Sequence, residues 1–325
     1  MERIQNVTIV GAGTMGYSLA VSFSVGGCNV SLMDNKEESL HRAMIQAKHA
    51  FEVISEAGKL TMEQTKRAFE RIKPTTQLRE AIQSSEYVLE TVYEDPEIKQ
   101  KLLSELDGLC QPHCIIASNT SWLDLFEIGK EVKRQDKLIL THWFSPPHIM
   151  PLVEIAASEK TSAETIKTVI EVHKRIGKTI LLFKRFIPGC FVNRLQFLIS
   201  KEIFRLVDQE YINIEDVDSA LKASLAVRWP VTGYLQGLDF AGLDTVNRSR
   251  TNATGGGVTP DWPKGPIKAI TDRVAQGKTG VKSGKGFYNY EGETTDEWLR
   301  KRDLNTLKVA EMIKELGTIG TLIPK

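Results

Sequence analysis

The sequence predicts an α/β fold, in which a doubly wound, mostly parallel sheet is followed by a smaller all-α domain. In the first part of the chain, short apolar segments rich in β-branched residues alternate with longer amphipathic segments. This is the pattern of a sheet covered by helices. The segment Ile187-Pro188-Gly189 ends the alternation, and only helical periodicity follows it. The predicted domains are therefore residues 1–187 and residues 188–325.

The first predicted strand, Asn6 to Val10, leads directly into a glycine-rich turn of spacing G-x-G-x-x-G and a helical segment, Thr14 to Val25. In this order the first glycine permits a tight turn, the second admits a pyrophosphate, and the third lets the helix pack against the strand. The phosphates would lie at the positive end of the helix. The pattern predicts a Rossmann-type dinucleotide site. The residues predicted to form it are Gly11, Gly13, Thr14, Met15 and Gly16.

The second predicted strand, Asn29 to Asp34, ends in an acid that bears on the choice of cofactor. The Asp34 carboxylate would accept hydrogen bonds from an adenosine ribose and would repel a 2′-phosphate. Neither Asn35 nor Lys36 is the arginine usually needed to hold such a phosphate, although Lys36 would partly compensate. NAD is therefore expected as the cofactor rather than NADP.

Between the second and third predicted strands, residues 37–73 are predicted to form a helical insertion with two helices separated by Gly58. Its charged face is interpreted as solvated. The alternative is that it holds a long anionic substrate tail, with Lys59 best placed beside the glycine. The later strands are short apolar runs bounded by turn residues. They are Tyr87 to Thr91, Ile115 to Ser118, Leu138 to His142, Leu152 to Ala156 and Thr179 to Phe183.

The second domain is predicted to be mostly helical, because apolar residues recur there at helical spacing. The predicted helices are Phe191 to Val207, Ile214 to Leu225, Tyr234 to Arg250 and Pro266 to Ala275. Helical domains of this size often dimerise through an apolar face, so a homodimer is expected. The segment Gly277-Lys278-Thr279 suggests a phosphate-binding loop, but the glycine spacing and the preceding strand of that motif are missing.

The composition is that of an ordinary globular protein. The 325 residues are 41% hydrophobic and 26% charged, with a formal net charge of +1. This balance gives no support to binding of nucleic acid or an anionic membrane, and no apolar run approaches the length of a membrane span. The first strand begins almost at the amino terminus, which leaves no room for a signal peptide. A cytoplasmic location is expected.

The four cysteines show no spacing typical of a metal finger. Cys110, His113 and Cys114 are close enough in sequence to suggest metal ligands, but no second cluster of ligands accompanies them. They are interpreted as small buried residues in a reducing compartment, and no metal is expected.

A nicotinamide enzyme that oxidises an alcohol needs a base near the hydroxyl, a group that tunes the base, and donors that orient the oxygen. His142 ends a predicted strand, at the edge where ligands bind in an open α/β sheet. Glu154 follows across a turn with three prolines and can fold back to face it. A carboxylate on the far ring nitrogen would fix the tautomer and favour the imidazolium. Taken singly, the histidine would be structural and the glutamate a surface charge. It is their pairing that favours a catalytic role.

Two further segments place polar residues at the same edge of the sheet. The segment Ala117 to Ser121 follows another predicted strand and carries hydroxyl and amide donors, whose second role is to cap the next helix. Asn193 lies in the first helix of the second domain, where an asparagine lowers helix propensity. A polar residue placed against local preference indicates a contact with another group.

In chain order, these segments resemble those of the L-3-hydroxyacyl-CoA dehydrogenases. The resemblance runs from residue 4 to about residue 290 and rests on five segments. They are Gly11 to Gly16, Ser118 to Ser121, His142 to Glu154, Pro188 to Arg194 and Gly284 to Tyr288. The resemblance implies a reversible reaction in which a hydride moves from C3 of the substrate to NAD.

The resemblance also implies a role for each matching residue. It implies that His142 is the catalytic base and that Glu154 is its partner. The residues implied to contact the substrate oxygens are Ser121 and Asn193. Those implied to bind the cofactor, besides the glycine turn, are Asp34, Glu94 and Asn119.

The chain departs from this family at two places. Ser145 stands where the family usually has an asparagine, and it offers one donor fewer. The segment Arg228 to Leu235 stands where the family usually has Gly-Pro-Phe or a similar triplet. A buried Arg228 would suit a free carboxylate on the substrate. Alternatively it is an exposed arginine stacked on Trp229.

The sequence leaves three functions open. The first is an NAD-dependent dehydrogenase of short-chain L-3-hydroxyacyl-CoA thioesters. The second is a dehydrogenase of a small carboxylated 3-hydroxy acid, since the segment from His142 to Glu154 also resembles carnitine and sugar-acid dehydrogenases. The third is a structural or sensing protein that binds nicotinamide without catalysis, and the intact set of candidate catalytic residues argues against it.

Overall fold

The computed structural model describes residues 4–252 and 267–318. The chain divides into two compact units, Met1–Ser200 and Lys201–Lys325. The domain boundary after residue 187 stays a prediction. Among the described residues, no helix combines the length and the apolar character needed to span a membrane.

The first unit is built on one eight-stranded sheet with the order β3-β2-β1-β4-β5-β6-β7-β8. The strands are β1 (Asn6–Val10), β2 (Asn29–Met33), β3 (Ile72–Thr75), β4 (Tyr87–Glu90), β5 (Ile115–Ser118), β6 (Leu138–Trp143), β7 (Leu152–Ala156) and β8 (Thr179–Leu182). All neighbours are parallel except β6 and β7, which pair antiparallel. The predicted doubly wound, mostly parallel sheet is confirmed. Its strand order reverses between β1 and β4, where a ligand crevice forms in folds of this kind.

Helices cover both faces of this sheet. They are α1 (Gly16–Val25), α2 (Glu37–Glu56), α3 (Met62–Glu70), α4 (Leu78–Ile82), α5 (Pro96–Leu109), α6 (Leu125–Ile128) and α7 (Ala163–Arg175). Successive strand residues point to opposite faces, so Val7 and Ile9 belong to one apolar core and Val10 belongs to the other. Both cores are almost fully buried, and they fix the carboxyl edge of the sheet where the candidate site lies.

Strand β3 corrects the predicted insertion of residues 37–73. The insertion contains two helices, α2 and α3, but its last two residues already belong to β3, which pairs with β2. The sequence misled because Lys73 and Pro74 are untypical of strands. Proline is tolerated here because β3 is an edge strand and is hydrogen-bonded on one side only. The ends of the predicted strands agree with the structure to within one residue.

Helix α8 (Val192–Asp208) crosses from the first unit into the second. The other helices of the second unit are α9 (Ile214–Ala223), α10 (Leu225–Ala241), α11 (Leu243–Asn252), α12 (Lys268–Ala275) and α13 (Thr295–Thr318). The predicted helix from Tyr234 to Arg250 is wrong as one element, because Gly242 separates α10 from α11 with φ +87°. Helix α13 was not predicted, and Pro266, the predicted start of α12, lies outside the described residues.

The glycine-rich turn before Tyr290 has a structural role within the second unit. The buried carboxylate of Asp239 accepts hydrogen bonds from the backbone amides of Phe287 and Tyr288 and from the hydroxyl of Tyr290. A Cβ on Gly286 would lie 2.1 Å from an oxygen of that carboxylate. The turn therefore needs glycine in order to wrap around Asp239.

Candidate active site

The turn from β1 to α1 leaves no room for larger side chains at two of its glycines. A Cβ on Gly16 would lie 1.9 Å from the carbonyl oxygen of Gly11, which itself has φ +105°. A Cβ on Gly13 would meet nothing within 4 Å, so the fold does not require glycine there and the backbone is open to a ligand. Thr14 is exposed, and Met15 packs against the core of the sheet. The turn has the form of a dinucleotide cradle.

Asp34 follows β2 directly beside this turn. Its Oδ2 accepts a hydrogen bond from the backbone amide of Ala12 at 2.9 Å, and its Oδ1 accepts one from the amide of Lys36 at 3.0 Å. A cleft of about 710 Å³ opens here, lined by Gly13, Asp34 and Tyr93 among others. A carboxylate, an open glycine backbone and the start of a helix suit the ribose and pyrophosphate of NAD.

His142 and Glu154 face each other across the antiparallel pair of β6 and β7, where they are register partners. Their side chains meet with 2.8 Å between His142 Nδ1 and Glu154 Oε2. His142 is 3% exposed and Glu154 is fully buried. The predicted pairing is therefore present, and it arises because the proline-containing turn returns the chain along the same edge.

The second oxygen of Glu154 ties the start of α8 to this pair. Oε1 accepts hydrogen bonds from the backbone amides of Phe191 at 2.9 Å and Val192 at 3.0 Å. These amides belong to the beginning of a helix, where amides lack intrahelical partners and favour a negative charge. Asn193 lies half-buried in the first turn of the same helix, so Glu154 links His142 to the helix that carries Asn193.

Ser121 lies on the other side of the imidazole, with 3.2 Å between its Oγ and His142 Nε2. Glu94 holds the segment that carries Ser121. Its Oε1 accepts hydrogen bonds from the hydroxyl of Thr120 and from the amides of Ser121 and Trp122. Burial alone would raise the pKa of Glu94, but these hydrogen bonds and the charge of Lys99 hold it below its usual value.

A buried ion pair that the sequence did not predict supports this arrangement. Lys99 is 1% exposed and donates to Glu90 Oε1 at 2.5 Å, and its Nζ lies 3.3 Å from Glu94 Oε2. Glu90 also accepts a hydrogen bond from the hydroxyl of Ser118. One signal was present in the sequence, because Lys99 lies at helical spacing from Leu103 and Leu106 on the buried face of α5.

Three other residues that the sequence singled out lie in the first unit, and only one of them joins the strand of His142. Asn119 Oδ1 accepts a hydrogen bond from the amide of Trp143, so this side chain joins the ends of β5 and β6. Ser145 is exposed in the loop after β6. Lys59 is exposed in the turn between α2 and α3, and the structure gives no contact between it and His142.

Arg228 lies in the second unit and is exposed, which is the alternative that the sequence left open. It lines a cavity of about 430 Å³ together with Trp229 and Tyr234. The cavity also contains the break in α10 at Gly233. Of the two alternatives, the structure thus has the exposed arginine and not the buried one.

The one cluster of metal-ligating side chains found among the described residues is His142, Glu154 and Cys190, whose donor atoms lie within 4.8 Å of one another. Its chemistry does not favour a metal. Burial and the neighbouring Glu154 raise the pKa of the Cys190 thiol to about 12, whereas a metal ligand must be a thiolate. The carboxylate of Glu154 is already engaged by His142 and two backbone amides.

Two family models match the chain. The model described as 3-hydroxyacyl-CoA dehydrogenase, NAD binding domain, matches residues 6–185, and the C-terminal domain of the same family matches residues 189–290. The chain is 30% identical over 319 residues to fatty acid oxidation complex subunit alpha of Pseudomonas savastanoi pv. phaseolicola, in an alignment covering 97% of this chain and 42% of that protein. The chain thus spans less than half the length of that relative.

Two other proteins are similar over nearly their whole length. The chain is 27% identical over 311 residues to 5-formyl-3-hydroxy-2-methylpyridine 4-carboxylate 5-dehydrogenase of Mesorhizobium japonicum, with 96% of this chain and 99% of that protein covered. The solved structure of a 3-hydroxyacyl-CoA dehydrogenase from Archaeoglobus fulgidus has a TM-score of 0.78 at 27% identity, covering 96% of this chain and 99% of that one.

Proposed function

Since this chain belongs to the 3-hydroxyacyl-CoA dehydrogenase family, we propose that it catalyses the reversible oxidation of short-chain L-3-hydroxyacyl-CoA to 3-ketoacyl-CoA. The observation that carries the proposal is the contact of His142 with Glu154 on one ring nitrogen and with Ser121 on the other. NAD is the cofactor of the family, and when bound it accepts the hydride that leaves C3 of the substrate.

In this proposal His142 is the general base. Its Nε2 takes the proton of the 3-hydroxyl, and Nδ1 keeps its proton and donates it in a hydrogen bond to Glu154. The negative charge of Glu154 stabilises the imidazolium, and its fixed position selects the tautomer with a free Nε2. Ser121 and Asn193 donate to the substrate oxygens and orient the hydroxyl toward the base.

The cofactor residues are proposed on the same basis. Asp34 accepts hydrogen bonds from the adenosine ribose, and the open backbone at Gly13 admits the pyrophosphate. Glu94 and Asn119 are proposed to contact the nicotinamide. Both side chains also hold protein segments, namely the backbone around Ser121 and the amide of Trp143, so they connect the cofactor cleft with His142.

A second candidate function is the oxidation of a small carboxylated hydroxy acid that carries no coenzyme A. It is favoured by the similarity to the Mesorhizobium enzyme, whose name describes a pyridine carboxylate. The exposed guanidinium of Arg228 beside a cavity provides a cation for such a carboxylate. In the thioester proposal, Lys59 is instead the candidate cation for the anionic tail of the substrate.

We also propose a homodimer and a cytoplasmic location. The dimer is supported by apolar side chains that α8 exposes, including Phe197, Leu198 and Phe204. The location is supported by the four cysteines, whose side chains are all buried, as is usual for cysteines in proteins of reducing compartments.

Parallel assays of NADH absorbance test the substrate. The purified protein is given acetoacetyl-CoA with NADH, and in separate reactions carnitine or a gulonate-type sugar acid with NAD. We expect NADH consumption with the thioester and much slower reaction with either free acid. Turnover of a free acid without turnover of the thioester would replace the first proposal by the second. Inactivity with all three would contradict both.

A further inference from the structure

We propose that Lys178 is a positioning residue of the active site, which fastens the loop after the His142 strand by its ammonium group. The inference deepens the proposed function, since it concerns the geometry of the same base. Lys178 lies just before β8, outside the segments that carry the candidate catalytic residues.

The ammonium of Lys178 contacts the loop of residues 144–151 at its middle and near its far end. It donates to the carbonyl oxygen of Pro147 at 2.6 Å and to that of Met150 at 2.9 Å. It also lies 5.1 Å from the centre of the Trp143 ring, within the range of a cation–π contact. One side chain therefore joins the residue after His142 to the far end of the loop.

This loop sets how β6 returns into β7, and that return places His142 opposite Glu154. A second fastening holds the middle of the loop. The amide of His148 donates to Ser18 Oγ on α1, and the same hydroxyl lies 2.6 Å from His148 Nδ1. Helix α1 begins at the cofactor turn, so the loop is tied to the cofactor side by Ser18 and to the sheet by Lys178.

Lys178 differs from an ordinary surface lysine in its partners. Among the residues described in the structure, it forms no ion pair with a carboxylate, and its polar contacts are backbone carbonyls. Burial lowers the pKa of Lys178 to about 8. Burial, followed by the charge of Lys178, also lowers the pKa of His148. Removing an ammonium from water costs free energy, and here its described hydrogen-bond acceptors are carbonyl oxygens of the loop. We attribute the position of Lys178 to its role in holding this loop.

The test compares Lys178→Met with Lys174→Met, which removes an exposed lysine from α7 nearby. Hydrogen exchange of the peptide covering residues 144–152 is measured without substrate or cofactor. Its amides at His148, Ile149 and Met150 are hydrogen-bonded in the parent. We expect at least tenfold faster exchange in Lys178→Met only. Unchanged exchange would overturn the proposal that Lys178 fastens this loop.

Kinetics then separate positioning from general stability. In Lys178→Met we expect kcat with acetoacetyl-CoA to fall at least tenfold and the KM for NADH to change less than threefold, with partial rescue by Lys178→Arg. A tenfold rise of the KM for NADH without any loss of kcat would overturn the assigned role. If Lys178→Met does not fold, Lys178→Gln replaces it, with a smaller change in the same direction expected. Inactivity of the parent would contradict the proposed function. The exchange experiment would still decide whether Lys178 fastens the loop.

Discussion

At the scale of single residues, His142 is constrained from both sides of its ring. Glu154 occupies Nδ1 from the next strand, and Ser121 lies at Nε2 from the segment that follows β5. The ring is 3% exposed, so water cannot easily replace either partner. A histidine that only filled the core would not need a fully buried carboxylate beside it, because such a charge is costly to bury without a purpose.

Replacing His142 by glutamine tests this role. The amide is close in size and can still donate to Glu154, but it cannot accept a proton at neutral pH. We expect kcat to fall by about 10²- to 10⁴-fold, with NAD affinity within a few-fold of the parent when measured by calorimetry. His49→Gln, on the exposed face of α2, is the matched control and should leave kcat unchanged. Full activity of His142→Gln would remove this residue from the mechanism.

Asp34 allows a second test at this scale. Asp34→Asn keeps an acceptor for the amide of Ala12 but removes the charge that disfavours a 2′-phosphate. We expect NAD affinity to fall about tenfold, since hydrogen bonds to a charged group contribute about 1.5–3 kcal/mol, and the preference for NAD over NADP to narrow. Titration of both dinucleotides gives the ratio. An unchanged ratio would contradict the assignment of Asp34.

The members of the site that follow strands were predictable from the sequence, and those that act through three-dimensional contacts were not. The positions of His142 and Glu154 followed from a strand end and a turn, which are local features. Lys99 and Lys178 were missed because their partners are buried carboxylates and backbone carbonyls brought together only by folding. For Arg228 the sequence left a buried and an exposed position open, and the structure has it exposed.

At the scale of elements, the glycine turn separates two requirements that the motif alone combines. Gly16 is needed by the fold, because its Cβ would collide with the Gly11 carbonyl oxygen. Gly13 has open space and is needed only if a ligand approaches its backbone. The motif predicted the turn and the cofactor together. In the structure, Gly16 is required by the turn, and Gly13 leaves its backbone open to a cofactor.

Two alanine substitutions test this separation. Gly16→Ala should destabilise the protein by about 1–3 kcal/mol, as overpacking does, and weaken NAD binding. Gly13→Ala should leave the free energy of unfolding within about 0.5 kcal/mol of the parent and still weaken NAD binding at least tenfold. Urea unfolding and NAD titration measure the two effects. Equal loss of stability in both variants, or normal NAD binding by Gly13→Ala, would contradict the division of roles.

Elements were predictable where pattern and propensity agreed. The central strands β1, β4, β5 and β6 are buried on both faces, so their short apolar runs were clear in the sequence. Strand β3 contains Lys73 and Pro74 and was hidden by its composition. Helix α13 had a recognisable start, because Thr294 and Glu297 form reciprocal hydrogen bonds typical of a capping box. That spacing is visible in the sequence and would have predicted the helix.

At the scale of the whole molecule, the stability of the first unit depends on a histidine in its core. His173, on α7, is fully buried among the rings of Phe23, Tyr87 and Trp143. Its Nδ1 lies 2.6 Å from the carbonyl oxygen of Val169, and its Nε2 has no hydrogen-bond partner in the described part of the chain. Protonation at Nε2 would therefore create a charged donor with nothing to accept it.

This arrangement predicts that acid destabilises the protein. Burial, the largest cause, lowers the pKa of His173 from 6.5 to about 4. The unfolded chain therefore binds a proton between these values and the folded chain does not, so stability is full above pH 6.5 and is lost as the pH falls toward 4. The loss approaches about 3 kcal/mol, at 1.36 kcal/mol for each pKa unit. His173→Phe, which cannot titrate, should flatten this part of the profile, whereas the exposed control His49→Gln should not. Urea midpoints measured at several values between pH 7.5 and pH 4.5 decide the matter, because parallel profiles for His173→Phe and the parent would exclude His173 as the source of acid sensitivity.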